Sequence, residues 1–373
     1  MKAFRIALMV FRTAVRTPAC YFVALLIPLS VGLLACALSG EGSSTSAGMV
    51  LSWSLLLGWA LLAASGMLLG ANLIGGEFAS GRFRTLKCQP VRAFDWLFGA
   101  WGGLAGVGGG VALVLTLTLA FAAGVRGGKE FWTRPGNCVS ESRTLAPRPE
   151  LIAPGESNTY HFGARGRGWS LRVAFSPLGG WHDTVALVAT SGGERCQATA
   201  GSGDNLLVPL VDCNGSVTLT NRETRPFAAL YYNLSVPVAL VRPGMPFVVN
   251  LANLWLVSTA LFALWAAIGT LSATLFSRPV AIFIGCIVAL LPLIASEPTT
   301  PMPTSLGHLP GWLIAQGIAW IGCPFAQLQA SDALARGDLL NPSRTLLVAA
   351  VYGVIIPLIL LGLGAPAFRR REQ

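Results

Sequence analysis

The chain has 373 residues, of which 53% are hydrophobic and only 11% are charged, and its mean hydropathy is +0.63. Soluble domains are about a quarter charged, so this composition excludes an ordinary soluble protein and indicates a membrane protein. The formal net charge of +10 would suit a nucleic-acid-binding protein. Most of the excess lies in short segments that border apolar stretches, and this distribution excludes nucleic acid as a partner.

Residues 2–17 predict an amphipathic helix in the membrane interface. At about 100° per residue, its basic side chains share one narrow face and its large apolar side chains share the neighbouring face. The basic residues are Lys2, Arg5, Arg12 and Arg16, and the apolar ones are Phe4, Leu8, Phe11 and Val15. This segregation suits a helix in the headgroup layer. The alternative is the n-region of a cleaved signal peptide, whose removal would take away the first span.

Six apolar stretches are long enough to cross a bilayer, which takes about 18 or more residues. They are 20–38, 49–74, 96–125, 247–276, 279–296 and 346–366. Asn250 and Asn253 open the fourth span, and we expect them to face other helices rather than lipid. A half-length apolar segment at 311–323 predicts a re-entrant or interfacial helix before the last span.

The third span carries Gly102, Gly106 and Gly110 at four-residue spacing, which predicts close helix packing. The glycine-rich strings GGLAGVGGG and GVRGGKE lack the spacing of nucleotide-binding loops. The six predicted spans contain no carboxylate and no histidine, so they offer no acid–base pair. We therefore predict no catalytic residue, no cofactor and no metal site in this chain.

A polar insert at 126–244 predicts a separate β-domain between the third and fourth spans. Its first part, 126–154, has an irregular composition, and short β-prone runs separated by Gly, Pro, Asn and Asp follow. Their spacing is typical of a small β-sandwich or jelly roll. The runs are 157–162, 171–175, 185–189, 206–211, 217–220, 227–233 and 236–241.

Cys196 and Cys213 flank a Gly-rich turn in this insert, at 201–205. If the outer compartment is oxidising, a disulfide between them is the preferred pairing. The sequence alone does not fix the connectivity, because Cys138 also lies in the insert.

The segment between the second and third spans, 75–96, is short, polar and basic, and reads GGEFASGRFRTLKCQPVRAFDW. If it lies in the cytoplasm with both termini and Arg278, the cytoplasmic parts carry twelve Lys or Arg against three acids, a net charge of +9. The insert has twelve positive and nine negative residues, a net charge of +3. By the positive-inside rule, both termini and this segment are cytoplasmic and the insert is outside.

Taken in their order along the chain, these features resemble the permease subunit of a type-2 ATP-binding-cassette exporter. The resemblance covers residues 1–125 and 245–373, and the insert at 126–244 departs from simpler members, which have a short loop there. The insert is similar only in position to the β-jelly-roll domains of the paired permeases that extract lipopolysaccharide. The motifs that carry the resemblance are the basic helix at 2–17, EFASGRFRTL at 77–86 with QPV at 89–91, GTLSATLFS at 269–277 and the closing FRRRE.

The resemblance implies six transmembrane helices, an interfacial helix and an extracytoplasmic β-domain in a bacterial cytoplasmic membrane. It also implies two protein partners: a cytoplasmic ATPase subunit, which would hold ATP and Mg²⁺, and a second permease copy, either identical or a paired homologue. A coupling helix would contact the ATPase through Glu77, Phe78, Gly81, Arg82, Phe83 and Leu86. The expected activity is outward transport without catalysis in this chain.

Two other interpretations stay open at this point. The chain would be a mechanotransmitter if ATP-driven motion reached the β-domain without any substrate crossing the membrane. The segment at 75–96 would be a plain cytoplasmic loop if it did no more than satisfy the positive-inside rule.

Cysteine labelling in intact cells tests the topology. In a background that lacks the eight native cysteines, a membrane-impermeant reagent should modify an engineered cysteine at Gly203 and leave one at Ser80 unmodified, because only the insert faces outward. The reverse pattern would contradict both the topology and the transport function.

Overall fold

The structure, a computed structural model, divides the chain into two compact units. The first comprises Met1–Lys129, Asn250–Ser331 and Leu340–Gln373, and the second comprises Glu130–Val249 and Asp332–Leu339. The residues that the structure describes are 2–37, 43–79, 92–127, 130–133, 135–143, 150–152, 155–174, 176–177, 185–191, 194–200, 205–210, 213–221, 227–229, 238–277, 279–283, 333–334 and 337–372.

The described part of the first unit is helical. A π-helical turn, Val351–Ile355, lies between its last two helices. Pro18 and Pro342 occupy the first positions of two helices, where the missing N–H costs nothing. Asn341 caps the helix that begins at Pro342 through its side-chain oxygen. The helices are α1 (Lys2–Val15), α2 (Pro18–Ala37), α3 (Ser43–Ala79), α4 (Ala93–Gly127), the short α5 (Glu130–Thr133) of the second unit, α6 (Val249–Leu275), α7 (Pro342–Ala350) and α8 (Ile356–Glu372).

Within the described residues, five helical segments are long and apolar enough to cross a membrane, which indicates a multi-pass membrane protein. They correspond to the first four predicted spans and the sixth, and so confirm these as apolar helices. Beyond residues 279–283, the predicted fifth span at 279–296 lies outside the described residues, as does the segment at 311–323. The five segments are Pro18–Cys36, Val50–Leu73, Ala93–Val125, Val249–Leu275 and Pro342–Phe368.

Helix α6 is the centre of the helical unit, with 72% of its most apolar stretch buried. It runs parallel to α3, because Gly66 lies against Phe262 and Gly70 lies against Ala266. It also runs parallel to the last helices, since Gly353 contacts Ala260 whereas Gly364 lies near Leu271.

Helix α4 runs antiparallel to α6. The Trp101 indole N–H donates to the Ala263 carbonyl over 2.8 Å, and the Trp255 indole N–H donates to the Gly109 carbonyl over 2.9 Å. The higher number on one helix therefore pairs with the lower number on the other.

The α3–α6 crossing brings two backbones into contact. A methyl group at Gly66 would lie 2.8 Å from the Phe262 carbonyl oxygen, and one at Gly70 would meet the Ala266 carbonyl oxygen. From the other side, a methyl group at Gly269 would meet the Met67 carbonyl oxygen. Small residues allow this approach in a bilayer, where packing rather than the hydrophobic effect holds helices together.

The described part of the second unit contains eleven strands in three antiparallel sheets. The strand orders are β1-β11-β4-β8, β3-β9-β6-β7 and β2-β10-β5. The strands are β1 (Pro135–Arg143), β2 (Glu150–Ile152), β3 (Ser157–Gly166), β4 (Trp169–Ala174), β5 (Ser176–Pro177), β6 (Val185–Ser191), β7 (Glu194–Ala200), β8 (Asn205–Leu210), β9 (Cys213–Asn221), β10 (Phe227–Ala229) and β11 (Val238–Pro246).

The two four-stranded sheets share a core and meet at their edges. Edge strand β1 lies beside β3, and edge strand β7 lies beside β8. Leu171, Val208 and Leu240 of one sheet are buried, as are Val217 and Leu219 of the other. Alternating side chains of both sheets thus fill one apolar interior.

Four strands were not predicted, and all four, β1, β2, β5 and β7, are sheet edges. Strand β1 lies in the stretch 126–154, which we predicted to be irregular, and pairs with β11 from Pro135–Pro246 to Arg143–Val238. Its sequence, PGNCVSESR, is polar because an edge strand exposes much of its surface. Strand β7, ERCQATA, is polar for the same reason.

The register of the second four-stranded sheet bears on the predicted disulfide. Cys196 pairs with Ala189, which in turn pairs with Leu219 of β9. Cys213 begins β9, six positions before Leu219, and β6 lies between the two cysteine-bearing strands. Two strand spacings alone come to about 9.5 Å, whereas disulfide-linked Cα atoms lie within about 7 Å. The register counts against the Cys196–Cys213 pairing.

We expect Gly70→Leu to destabilise the helical unit by about 1–3 kcal/mol or more, because the new side chain would meet backbone atoms that cannot move aside. Chemical unfolding in detergent measures the loss. Gly110→Leu is the matched control, since no described atom lies within 4 Å of a methyl group at Gly110. Equal losses in the two variants would contradict the α3–α6 crossing.

Candidate functional site: the basic end of the helical unit

The helix directions bring α1 and the ends of four other helices together at one end of the first unit, here named the basic end. It comprises α1, the last turn of α3, the first turns of α4, and the last turns of α6 and α8. Contacts of Ile6 with Gly99, Trp96 with Phe368, and Leu271 with Gly364 join α1 to α4, α4 to α8 and α6 to α8. The predicted coupling segment begins and ends here, because α3 ends at Ala79 and α4 begins at Ala93.

Of the six residues predicted to form the coupling interface, only two lie in the part of the chain that the structure describes. Glu77 and Phe78 lie in the last turn of α3, which continues beyond its apolar stretch Val50–Leu73. The remaining predicted residues lie outside the described residues. They are Gly81, Arg82, Phe83 and Leu86.

Helix α1 packs lengthwise on the start of α4 through glycines. A methyl group at Gly99 would lie 2.7 Å from the Ala3 carbonyl oxygen, and one at Gly103 would lie 2.5 Å from the Ala7 carbonyl oxygen. Both contacts advance by four residues on each helix, so α1 and α4 run parallel over about two turns.

The predicted packing glycines lie one position from this contact or further away. A methyl group at Gly102 would be 3.8 Å from the Ala7 Cβ, and one at Gly106 would be 3.2 Å from the Phe11 ring. At Gly110, no described atom lies within 4 Å. The closest approach of α1 to α4 uses Gly99 and Gly103, which have the same four-residue spacing as the predicted glycines.

Aromatic side chains connect the start of α4 to the end of α8. The Trp96 and Phe368 rings stack with centroids 5.6 Å apart and an interplanar angle of 23°. Phe98 stacks on Phe94 at 5.9 Å and contacts Trp101 at 5.5 Å. Phe368 is 1% exposed. The last helix is therefore held at the basic end by a buried ring contact.

Three tryptophan N–H groups fix α3 and α4 against α6. Besides the two bonds of Trp101 and Trp255, the Trp59 indole N–H donates to the Ser258 Oγ over 3.2 Å. The bonds of Trp59 and Trp101, which are buried, satisfy donors that would be costly to leave unpaired in an apolar interior, whereas Trp255 is exposed. The sequence analysis missed these three residues and the Gly66–Gly70 pair, although a G-x-x-x-G spacing and tryptophans inside apolar spans were visible signals.

At the opposite end, Asn250 and Asn253 hold the backbone of Leu340. The Leu340 N–H donates to the Asn250 Oδ1 over 2.9 Å, and the Asn253 Nδ2 donates to the Leu340 carbonyl over 3.3 Å. Both side chains are buried, which confirms that they face protein. Leu340 directly precedes Asn341, the cap of α7.

Among the described residues, no three His, Cys, Asp or Glu side chains come together as metal ligands. The described part of the basic end presents helix surface: the exposed cations of α1 and the last turn of α3. The rings of Trp96 and Phe368 lie buried beneath it, between α4 and α8.

No protein-family model matches this chain, and a search of curated proteins found no significant match.

We expect Phe368→Ala to lower the free energy of unfolding by about 3–5 kcal/mol, because it removes a fully buried ring and leaves a cavity beside Trp96. The unfolding transition in detergent measures this change. Phe121→Ala, at a position that is 75% exposed, controls for loss of an aromatic ring in contact with lipid. A larger loss for the Phe121 variant would contradict the buried stack.

Proposed function

We propose that this chain is the permease subunit of an ATP-binding-cassette exporter, driven by a separate ATPase subunit on the cytoplasmic side. The observation that carries the proposal is the packing of α1 on the start of α4, at the end of the helical unit to which the direction of α3 also brings its last turn. A basic segment that joins two membrane helices at such an end is the place where a cytoplasmic motor can act. ATP and Mg²⁺ would bind in the partner, and this chain would have no catalytic role.

The length of α3 supports a coupling role for its end. At 1.5 Å per residue its 37 residues extend about 55 Å, well beyond a hydrocarbon core of about 30 Å. The helix carries Glu77 and Phe78 past its apolar stretch without a break, so a force on this end would move the helix as one body. Segment 80–92 would then form the rest of the ATPase contact, with Gly81, Arg82, Phe83 and Leu86.

Helix directions support six membrane spans rather than five. Because α6 and α7–α8 run parallel, the chain between them has to return across the membrane before the last span begins. The apolar stretch at 279–296 is the candidate for that return. With six spans the two termini share one side, and the net charge of +9 in the segments assigned to it favours the cytoplasm as that side. A bacterial inner membrane is what the resemblance implies.

Strand order supports a jelly roll for the inserted domain. Without the short strands β2, β5 and β10, eight strands remain, in the orders β1-β11-β4-β8 and β3-β9-β6-β7. In chain order these are first-eighth-third-sixth and second-seventh-fourth-fifth, the arrangement of two interleaved Greek keys. The placement of α4 and α6 on either side of the insert makes this domain extracytoplasmic in the proposed topology.

A second permease copy is part of the proposal. Helix α2 leaves most of its apolar surface exposed, since only 17% of its most apolar stretch is buried. Tyr21, Phe22, Leu25, Leu29 and Leu33 are each more than half exposed. In a membrane, lipid or a second copy, identical or homologous, would cover this surface.

One observation favours mechanotransmission as the second candidate. In the second unit, named here the β-unit, Arg172 of β4 forms a buried ion pair with Asp338. The chain runs from Asp338 to the α7 cap, Asn341, in three residues. A displacement of β4 would therefore pull on the segment that starts the last span, and motion could be relayed without transport.

Replacing Phe83 by Asp tests the coupling role. The chain purified from its host membranes should bring an ATPase subunit with vanadate-sensitive ATP hydrolysis, and Phe83→Asp should remove that subunit or uncouple hydrolysis from transport. The reason is that buried aromatic anchors dominate such interfaces. Insertion and thermal unfolding of the variant should stay unchanged.

The matched control is Arg167→Gln, at an exposed position of the β-unit, which should retain both the ATPase subunit and coupled activity. A Phe83→Asp variant with unchanged assembly and transport would remove the coupling role from segment 80–92. Intact assembly with ATP hydrolysis but no substrate movement in the wild type would favour mechanotransmission.

A further inference from the structure

A cavity lies between the last turns of α2 and the last turns of α4. Its volume is about 630 Å³, within the range of sites that hold small molecules. One wall is the stretch 28–36 of α2, and the other is the stretch 117–125 of α4. Leu117, Phe121 and Val125 line it and are each more than half exposed, so the cavity opens at the side of the helical unit.

The sequence of α2 explains why the two helices leave this gap. Pro28 lies inside the helix, where a proline lacks the N–H of one helix hydrogen bond and favours a bend. Gly32 follows about one turn later, and no described atom lies within 4 Å of a methyl group there. Gly99 and Gly103, in contrast, lie against the backbone of α1. Gly32 therefore leaves space beside α2 instead of allowing a close helix contact.

The lining of the cavity is apolar. Its hydroxyl group is already bonded, because Thr118 donates to the Val114 carbonyl over 2.7 Å. The Cys36 thiol behaves as a small apolar group. None of the described lining residues is acidic or basic. Apolar cavities of this kind do not hold water well, so the lining suits hydrocarbon.

The length of the cavity matches one leaflet of a bilayer. Each wall extends about 12 Å at 1.5 Å per residue, and one leaflet contributes about 15 Å to a hydrocarbon core of about 30 Å. A helix from a second copy would lie along the whole core, whereas an acyl chain occupies one leaflet. The length therefore favours an acyl chain over a second copy.

The cavity also ends where the two apolar stretches end, at Cys36 of α2 and Val125 of α4. The next residue of α4 is Arg126, which brings a positive charge to this end of the helix. Arginines close to the ends of membrane helices lie at the level of the headgroups. This charge complements the phosphate that every phospholipid carries.

We propose that this cavity binds one acyl chain of a phospholipid, in the leaflet opposite to the basic end, with the phosphate at the level of Arg126. A chain in the cavity contacts protein on two sides, whereas boundary lipid lies against a convex helix surface on one side only. It therefore gains more dispersion contacts and exchanges more slowly. The bound lipid attaches α2 to α4 along a stretch where the two helices leave a gap.

This inference goes beyond the proposed function and shares with it only the insertion of the chain in a membrane. It requires neither transport nor an ATPase partner. Its test uses the full chain without nucleotide, so its failure leaves the permease proposal untouched.

Native mass spectrometry of the full chain, extracted from membranes and washed in detergent, tests the proposal. We expect a species that retains a single phospholipid. Gly32→Phe should lose this species, because the ring fills the open space beside Gly32. Gly362→Phe is the matched control and should keep the lipid, since no described atom lies within 4 Å of a methyl group at Gly362 either.

Photo-cross-linking locates the lipid in the wild-type chain and needs no substitution. A phosphatidylcholine with a diazirine on one acyl chain is placed in nanodiscs with the protein, and the adducts are mapped by peptide mass spectrometry. Adducts should concentrate on 28–36 and 117–125. They should be fewer at Leu346, Ile359 and Leu363, which are more than half exposed on the last helices and stand for ordinary boundary lipid.

Three results would overturn the proposal. The first is a wild-type chain without retained phospholipid, or equal loss of phospholipid in the two glycine variants. The second is equal labelling of the cavity walls and the last helices, which would make the lipid ordinary boundary lipid. The third is cross-linking of Cys36 to a second copy or to another segment of this chain without lipid adducts at the cavity, which would assign the cavity to a protein contact.

Discussion

The close approach of α3 and α6 is the contact on which the helical unit depends. Gly66 and Gly70 on one helix and Gly269 on the other let carbonyl groups of one backbone meet the other backbone without side chains between them. In a bilayer this contact gains from dispersion forces and from weak Cα–H···O contacts rather than from removal of apolar surface from water. Once the crossing is set, α6 has its other sides available for α4 and the last helices. The tryptophan bonds from Trp59 and Trp101 then fix the rotation of α3 and α4 about it.

Apolar length made most spans predictable, and β-prone composition made the central strands predictable. Each of the seven predicted β-runs overlaps a strand. The prediction failed where a segment owes its structure to a neighbour. Strands β1 and β7 are polar edges whose conformation comes from pairing with β11 and β6. Likewise, Gly99 and Gly103 could not be preferred over Gly102 and Gly106, because the face that α4 turns to α1 depends on tertiary packing.

The candidate site was predictable in outline and not in its contacts. Charge placement identified α1 and segment 75–96, since the positive-inside rule needs only the sequence. The stacking of Trp96 on Phe368 joins residues 272 positions apart, and no local pattern contains that pairing. Arg172 and Asp338 are also remote, and Asp338 belongs to a segment that the sequence placed with the last spans, 245–373, rather than with the β-unit.

A continuous set of contacts links the two ends of the helical unit. Because α3 and α6 touch backbone to backbone at Gly66, Gly70 and Gly269, no side chain separates them at this crossing. At its far end α6 holds Leu340 through Asn250 and Asn253, and the α7 cap follows one residue later. The π-helical turn Val351–Ile355 then separates α7 from α8, which is held at the basic end by Phe368. Such turns add one residue to a helix and often occur at functional sites. The last span thus contacts α6 through Gly353 and Gly364 and α4 through Phe368, with the π-helical turn at the start of its second half.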